Sequence, residues 1–180
     1  MTQEQKLLLK KVCQRWVVEF PCFKTVNLDE RPKAAKGAVF RCDKYATDRG
    51  IYYFLVFEFP RHRPGEFSLR IAVSRSAEQS ALDPPVDYKP TPTNIGSHDI
   101  AAFMQLQSYQ WDLVDVDARN DVVLAELGGP ALGGPTYRPE SLWQPSSYSL
   151  DAESIVEEAI DDVNNKLRRY VFPQLNLDPN

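Results

Sequence analysis

One stretch limits the folds open to this chain more than any other. Ile51-Tyr52-Tyr53-Phe54-Leu55-Val56-Phe57-Glu58-Phe59 is a dense run of β-branched and aromatic side chains, the types that fit a pleated, buried surface. Strand side chains alternate between two faces. Ile51, Tyr53, Leu55, Phe57 and Phe59 therefore share one face, and Tyr52, Phe54 and Val56 the other, with Glu58 where that second face meets water. A strand apolar on both faces is a central strand, covered above and below. Pro60-Arg61-His62-Arg63-Pro64-Gly65 breaks the run: two prolines remove ladder donors and Gly65 is free to take a positive φ. From Glu66 to Ser74 the pattern alternates simply. Phe67, Leu69, Ile71 and Val73 point one way and Glu66, Ser68, Arg70 and Ser74 the other, as in a half-buried antiparallel partner. Each large apolar side chain buried in this hairpin is worth about 1.5–3 kcal/mol.

The flanking segments extend the pattern. Thr2–Phe20 reads as a helix whose stripe is Leu9, Val12, Cys13, Trp16, Val17 and Phe20, with Lys6, Lys10, Lys11 and Arg15 off it and Pro21 as its stop. Cys22–Lys36 reads as loop. Gly37–Lys44 reads as a first strand, with Ala38, Phe40 and Cys42 on one side and Val39, Arg41 and Asp43 on the other. Thr47-Asp48-Arg49-Gly50 supplies turn chemistry before the central strand. Consecutive strands joined this closely form an antiparallel meander.

The middle of the chain, about 76–149, is less regular. Prolines 84, 85, 90 and 92 punctuate Arg75–Gly96, and Gly128–Pro135 nearly repeats a Gly-Gly-Pro unit. Ser97 reads as an N-cap with Asp99 in the first helical turn. Tyr109–Val116 reads as a strand, Asp117 as the cap of a helix reaching Leu127, and Trp143 as a side chain packed on the core. Leu150–Phe172 reads as the second long helix. Asp151 caps it, Leu150 with Ile155 forms a staple, and Val156, Ile160, Val163, Leu167, Tyr170 and Val171 make the buried stripe. Acidic residues crowd its start and Lys166, Arg168 and Arg169 its end, which suits the helix dipole; Pro173 ends it. The expected architecture is a single α+β domain over residues 1–180: an antiparallel meander sheet with the N- and C-terminal helices packed on it.

Charge divides the chain. Met1–Arg75 holds 15 Lys and Arg against 8 Asp and Glu, a surplus of +7, whereas Ser76–Asn180 holds 6 against 17, a deficit of −11; the whole chain carries −4. Either the halves pair with each other or the acidic half meets a partner of opposite sign. The acidic candidates are Asp112, Asp115, Asp117, Asp121 and Glu126 in the middle, and Glu157, Glu158, Asp161 and Asp162 on the last helix. Asp115-Val116-Asp117 resembles part of a calcium loop but lacks the glycine turn and closing glutamate. Cys13, Cys22 and Cys42 have no metal-like spacing and read as reduced thiols, a redox role being the alternative. Ser97-His98-Asp99 are adjacent and cannot converge as a triad. The longest uninterrupted apolar run is far shorter than the ~20 residues that span a bilayer. Together these features imply a cytoplasmic chain with no cofactor and no membrane partner.

The element order with "GAVFRCDK" at 37–44, "GIYYFLVFEFP" at 50–60, "EFSLRIAVSRS" at 66–76 and "RRYVFPQL" at 168–175 resembles bacterial domain-of-unknown-function proteins. Some of these resemble immunity proteins of polymorphic or secreted toxin systems. The resemblance covers Met1–Ser76 and Leu150–Leu175. It implies a stoichiometric, non-enzymatic binder that blocks a toxin with a basic surface, and it carries over no functional residue. Two other readings stand beside it. One is a carboxylate-based hydrolase, with Asp or Glu gathered near His98 or an arginine. The other is a nucleic-acid module gripping phosphate through Arg61, His62 and Arg63, which the acidic balance disfavours.

Overall fold

A computed structural model describes residues 2–26, 38–59, 65–77, 94–115 and 142–180, except for the side chains of Val17 and of residues 94–96. Among these residues, seven strands form one sheet: β1 (Phe23–Thr25), β2 (Val39–Cys42), β3 (Tyr52–Glu58), β4 (Glu66–Ser74), β5 (Asn94–Asp99), β6 (Gln110–Asp112) and β7 (Leu142–Trp143). The strands β1 to β4 form the expected antiparallel meander. The long strand β4 then serves two partners along its other edge. Arg70–Ser74 pairs with β5, and Glu66–Phe67 pairs with β6. β7 lies parallel to β6, a pairing that the alternation pattern did not foretell.

The β3–β4 register places Leu55 opposite Ile71 and Phe57 opposite Leu69. Gly65 re-enters β4 with φ 95°, a conformation that costs a Cβ-free residue little. Tyr53, Leu55, Phe57 and Phe59 join the main core, while Phe54 and Val56 join a smaller cluster with Val26, Val39 and Ala72. Both faces of the central strand are buried, as its composition requires.

Two helices cover the main-core face. α1 (Gln3–Glu19) starts at a capping box in which Thr2 and Gln5 bond each other's backbone N–H. Its buried line is Gln5, Leu8, Val12, Trp16 and Phe20, every fourth residue after the first step. This line corrects the expected stripe: Leu9 and Cys13 flank the core half-buried, and the polar Gln5 enters because its Nε2–H donates to the Glu66 carbonyl at 2.7 Å. Trp16 lies between Phe40 and Phe57, at 4.9 Å centroid separation from each. α4 (Ala152–Lys166) packs beside α1, with Asp151 accepting from the Ser154 N–H at 2.8 Å as its N-cap.

Other boundaries moved. The segment read as loop contains β1, whose three residues are too few to show a period. The Thr47–Gly50 turn is a single helical turn, α2 (Ala46–Arg49), closed by Gly50 at φ 63°. Ser97 is no helix cap: Ser97 and His98 belong to β5, and Asp99 caps α3 (Ile100–Phe103) by accepting from the Ala101 N–H at 2.8 Å. Nor does Pro173 end the last helix. Pro173 has no N–H for the Arg169 carbonyl and its ring crowds that carbonyl. The chain widens into a π-turn at Leu167–Val171 and continues as α5 (Phe172–Leu175). Asn176 at φ 49° then turns the tail back onto the core through Leu177. Among the described residues, no helix is long and apolar enough to cross a membrane.

Candidate functional site

The acidic residues singled out from sequence fall into three environments. Asp112 is fully buried on β6, where its Oδ1 accepts from the Val114 N–H at 3.3 Å; Asp115 follows it half-buried. Asp117, Asp121 and Glu126 lie outside the described residues, as do Arg61, His62 and Arg63. The other four sit on α4, and the helix turns them toward different neighbours.

Glu157 and Asp161, four residues apart, face α1. Lys11 bonds Glu153 at 2.6 Å and also Glu157, while Arg15 bonds Glu157, Asp161 at 2.9 Å and Glu19 at 3.0 Å. Lys11 and Glu153 are 142 residues apart in sequence. Lys11 and Arg15, off the apolar stripe of α1, are thus bonded to the acidic face of α4, and part of the charge division is settled within the molecule. Lys44 with Asp178, at 2.8 Å, adds a second bridge between the halves. The Lys11 hydrogen bond holds the Glu157 carboxyl below its ordinary value, against a smaller opposing effect of burial. The seam is nevertheless acidic. Among the described residues, the four carboxylates Glu19, Glu153, Glu157 and Asp161 pair with two cations, Lys11 and Arg15, and the Glu153 and Asp161 side chains remain 70% and 62% exposed. Glu158, one residue round the helix, accepts from the Ser146 N–H at 2.8 Å and its hydroxyl at 2.7 Å, and these bonds lower its carboxyl pKa.

Asp162 faces the opposite flank and helps to line an open groove of about 430 Å³. Asp162, Asn165, Lys166, Arg169 and Tyr170 recur at helical spacing, so one stripe of α4 and the π-turn forms a wall. Met104, Leu106 and Tyr109 form the other. Oδ2 of Asp162 accepts from Trp111 Nε1–H at 2.8 Å and from the Tyr109 hydroxyl at 3.3 Å, and its Oδ1 takes Lys166. The Lys166 ammonium also lies 4.7 Å from the Tyr109 ring centre, and the Arg169 guanidinium 5.2 Å from that of Tyr170. Burial, with Asp162 adding to it, pushes the Tyr109 phenol up. Beneath, Trp111 stacks on Phe67 at 4.9 Å and 7°, which fixes the floor.

Two backbone irregularities meet at this groove. The π-turn carries Arg169 and Tyr170; such turns are frequent at functional sites. Opposite, Gln105 holds φ 60°, where glycine is the usual residue. The Leu106 N–H bonds the Ala101 carbonyl at 2.9 Å and the Gln105 N–H bonds that of Ala102 at 3.2 Å, which closes α3 and leaves Leu106 40% exposed at the rim. Sequence reading assigned Lys166 and Arg169 to the helix dipole and missed the groove. The polar stripe from Asp162 to Tyr170 was visible, but its other wall, Met104, Leu106 and Tyr109, lies more than fifty residues away in the chain and only the fold sets it beside that stripe. His98 lies elsewhere, exposed on β5 with its ring 6.3 Å from Phe103. The groove gathers a carboxylate with two cations and two phenols, an arrangement suited to holding a polar or aromatic group. Comparison with family models, with curated proteins and with solved structures returns no match.

Proposed function

We propose that the protein is a non-catalytic cytoplasmic binding protein that captures a partner with a basic surface, most concretely as an immunity protein that blocks a bacterial toxin. The observation that carries this reading is the α1–α4 seam, where carboxylates outnumber cations and are held in place by Lys11 and Arg15. Pinned carboxylates lose less side-chain freedom on binding than mobile ones. Exposed charges of one sign steer a complementary partner and raise its association rate. The groove lies on the neighbouring stripe of the same helix, since adjacent residues on a helix are about 100° apart. It offers a groove in which an anchoring aromatic side chain of the partner, once it excludes water there, would carry most of the affinity. In this arrangement the ridge sets encounter and the groove sets lifetime.

The test is co-expression with the products of the adjacent genes. The expected result is a stoichiometric complex with one of them and relief of the growth arrest that this product causes alone. Reversing Glu153→Lys and Asp161→Lys together should slow association and weaken protection, whereas Lys11→Met, which leaves the seam acidic, should not slow association. No complex and no protection with any neighbour would end the toxin reading.

A further inference from the structure

The meander's first turn brings two cysteines together that sequence separates. Phe23 on β1 pairs with Cys42 on β2, which sets Cys22 diagonally across from Cys42 at the edge of the sheet. Both side chains pack against the main core, and both are free thiols in hydrogen-bond contact with each other. Cys42 is 0% exposed, while Cys22 is half-buried and opens to solvent. Cys13 lies on a different element, α1. Hydrogen bonds beside the pair tie down the C-terminal tail. The Cys22 N–H donates to the Pro179 carbonyl at 3.3 Å, and Lys44, two residues beyond Cys42, bonds Asp178 and the Asn180 carbonyl, the latter at 2.7 Å.

From this juxtaposition we infer that Cys22 and Cys42 form a redox-active dithiol that closes reversibly to a disulfide and fastens β1, β2 and the C-terminal tail together. The oxidant is a small-molecule disulfide. Cys22, the sulfur open to solvent, attacks one sulfur of the oxidant as thiolate. A Cys22–sulfur bond forms, the oxidant's disulfide breaks, and the departing thiolate takes up the proton that Cys22 gave up. Cys42 then attacks Cys22 Sγ, the intramolecular disulfide forms, and the second small thiolate leaves with the proton of Cys42. Two protein thiols lose two electrons and one small disulfide becomes two thiols. The contact favours this chemistry. The Cys22 thiol's hydrogen bond outweighs burial and, with the Lys44 backbone N–H, brings Cys42 down to about 7. The same contact, with burial, pushes the Cys22 thiol up, so Cys42 is the base that takes the Cys22 proton as Cys22 attacks and yields it to the departing thiolate.

The experiment treats the full-length, natively folded chain with oxidised glutathione and counts free thiols. The expected count falls from the three of the sequence to one, and the mass falls by about 2 Da as two hydrogens leave. Peptide mapping should join Cys22 to Cys42 and leave Cys13 free. The oxidised form should melt about 5–10 °C higher, through loop closure in the unfolded state, and should regain its reduced melting point with dithiothreitol. Cys22→Ser should keep the fold and abolish the mass loss; Cys13→Ser should change neither. Three titratable thiols after treatment, a stable glutathione adduct on Cys22, or a disulfide that includes Cys13 would each overturn the inference. The Cys13→Ser and Cys22→Ser readings do not depend on partner binding, so this test and the co-expression test fail separately.

Discussion

Replacing Trp111 with Phe tests whether the groove floor is held by the bond to Asp162. Trp111 is fully buried, stacked on Phe67, edge-on to Tyr109 at 4.8 Å, and its indole N–H donates to Asp162 at 2.8 Å. Phenylalanine keeps the stack but loses the donor and part of the ring. A hydrogen bond to a charged acceptor contributes about 1.5–3 kcal/mol. A residual cavity of roughly 40 Å³ adds about 1 kcal/mol at about 24 cal/mol per Å³. Tyr109 and Lys166 still hold Asp162, so the carboxylate is not orphaned and the total should be about 2–4 kcal/mol. For a chain of this size that lowers the melting temperature by about 5–15 °C. The assay is urea denaturation followed by far-ultraviolet circular dichroism, because fluorescence changes when a tryptophan is removed. A double-mutant cycle with Asp162→Ala isolates the pair. A coupling energy of about 1 kcal/mol or more is expected for contacting residues. Coupling under about 0.3 kcal/mol, or a loss for Trp111→Phe no larger than the cavity contribution, would refute the reasoning.

Two further outcomes follow from the helix ends and the seam. Hydrogen bonds hold the carboxyl groups of Asp151, Glu157 and Glu158 below their ordinary values, from the Ser154 backbone, Lys11 and the Ser146 backbone respectively. Each folded pKa lies below its unfolded one, so the stability these groups lend is complete above about pH 4.5 and is lost as pH falls through the folded values. Melting temperatures should therefore drop between about pH 5 and pH 3, and the Glu157→Gln, Glu158→Gln double variant should show a shallower drop; parallel slopes would contradict the sign. Separately, Gln105→Gly should stabilise the chain by about 0.5–1 kcal/mol, because a left-handed residue with a Cβ costs about 1–2 kcal/mol and glycine returns part of that as unfolded-state entropy. A destabilised variant in the same melts would show that the Gln105 side chain has a role its backbone does not reveal.

The parts of the fold that were legible in the sequence are those governed by local period. Alternation along Tyr52–Phe59 and Phe67–Val73 gave the core face of the hairpin, because a strand has only two sides. The other side of β4, read as the polar side of a half-buried strand, is itself buried at Glu66, Ala72 and Ser74. The Asp151 cap and the buried positions Val156, Ile160, Val163 and Leu167 followed from helical spacing. In α1 the same rule erred by one residue: Leu8 and Leu9 are equally apolar, and only packing against the sheet chooses between them. Gln5 was invisible for a similar reason, since its burial depends on a carbonyl on β4. The helix beyond Pro173 was missed because proline forbids one hydrogen bond, not the helical path itself, which the π-turn restores.

The sequence by itself determined the α+β class, the doubly buried central strand, the antiparallel meander and the existence of a basic and an acidic half. Tertiary structure decided what that charge division does. Lys11 and Arg15 meet Glu153, Glu157 and Asp161 because two helices lie side by side on one sheet face, a proximity that no local spacing encodes. It also decided that Asp162 faces a groove while Asp161, its neighbour in the chain, faces α1. One residue is about 100° of helix; composition sees two carboxylates, and only the packing of what surrounds them gives each a different task.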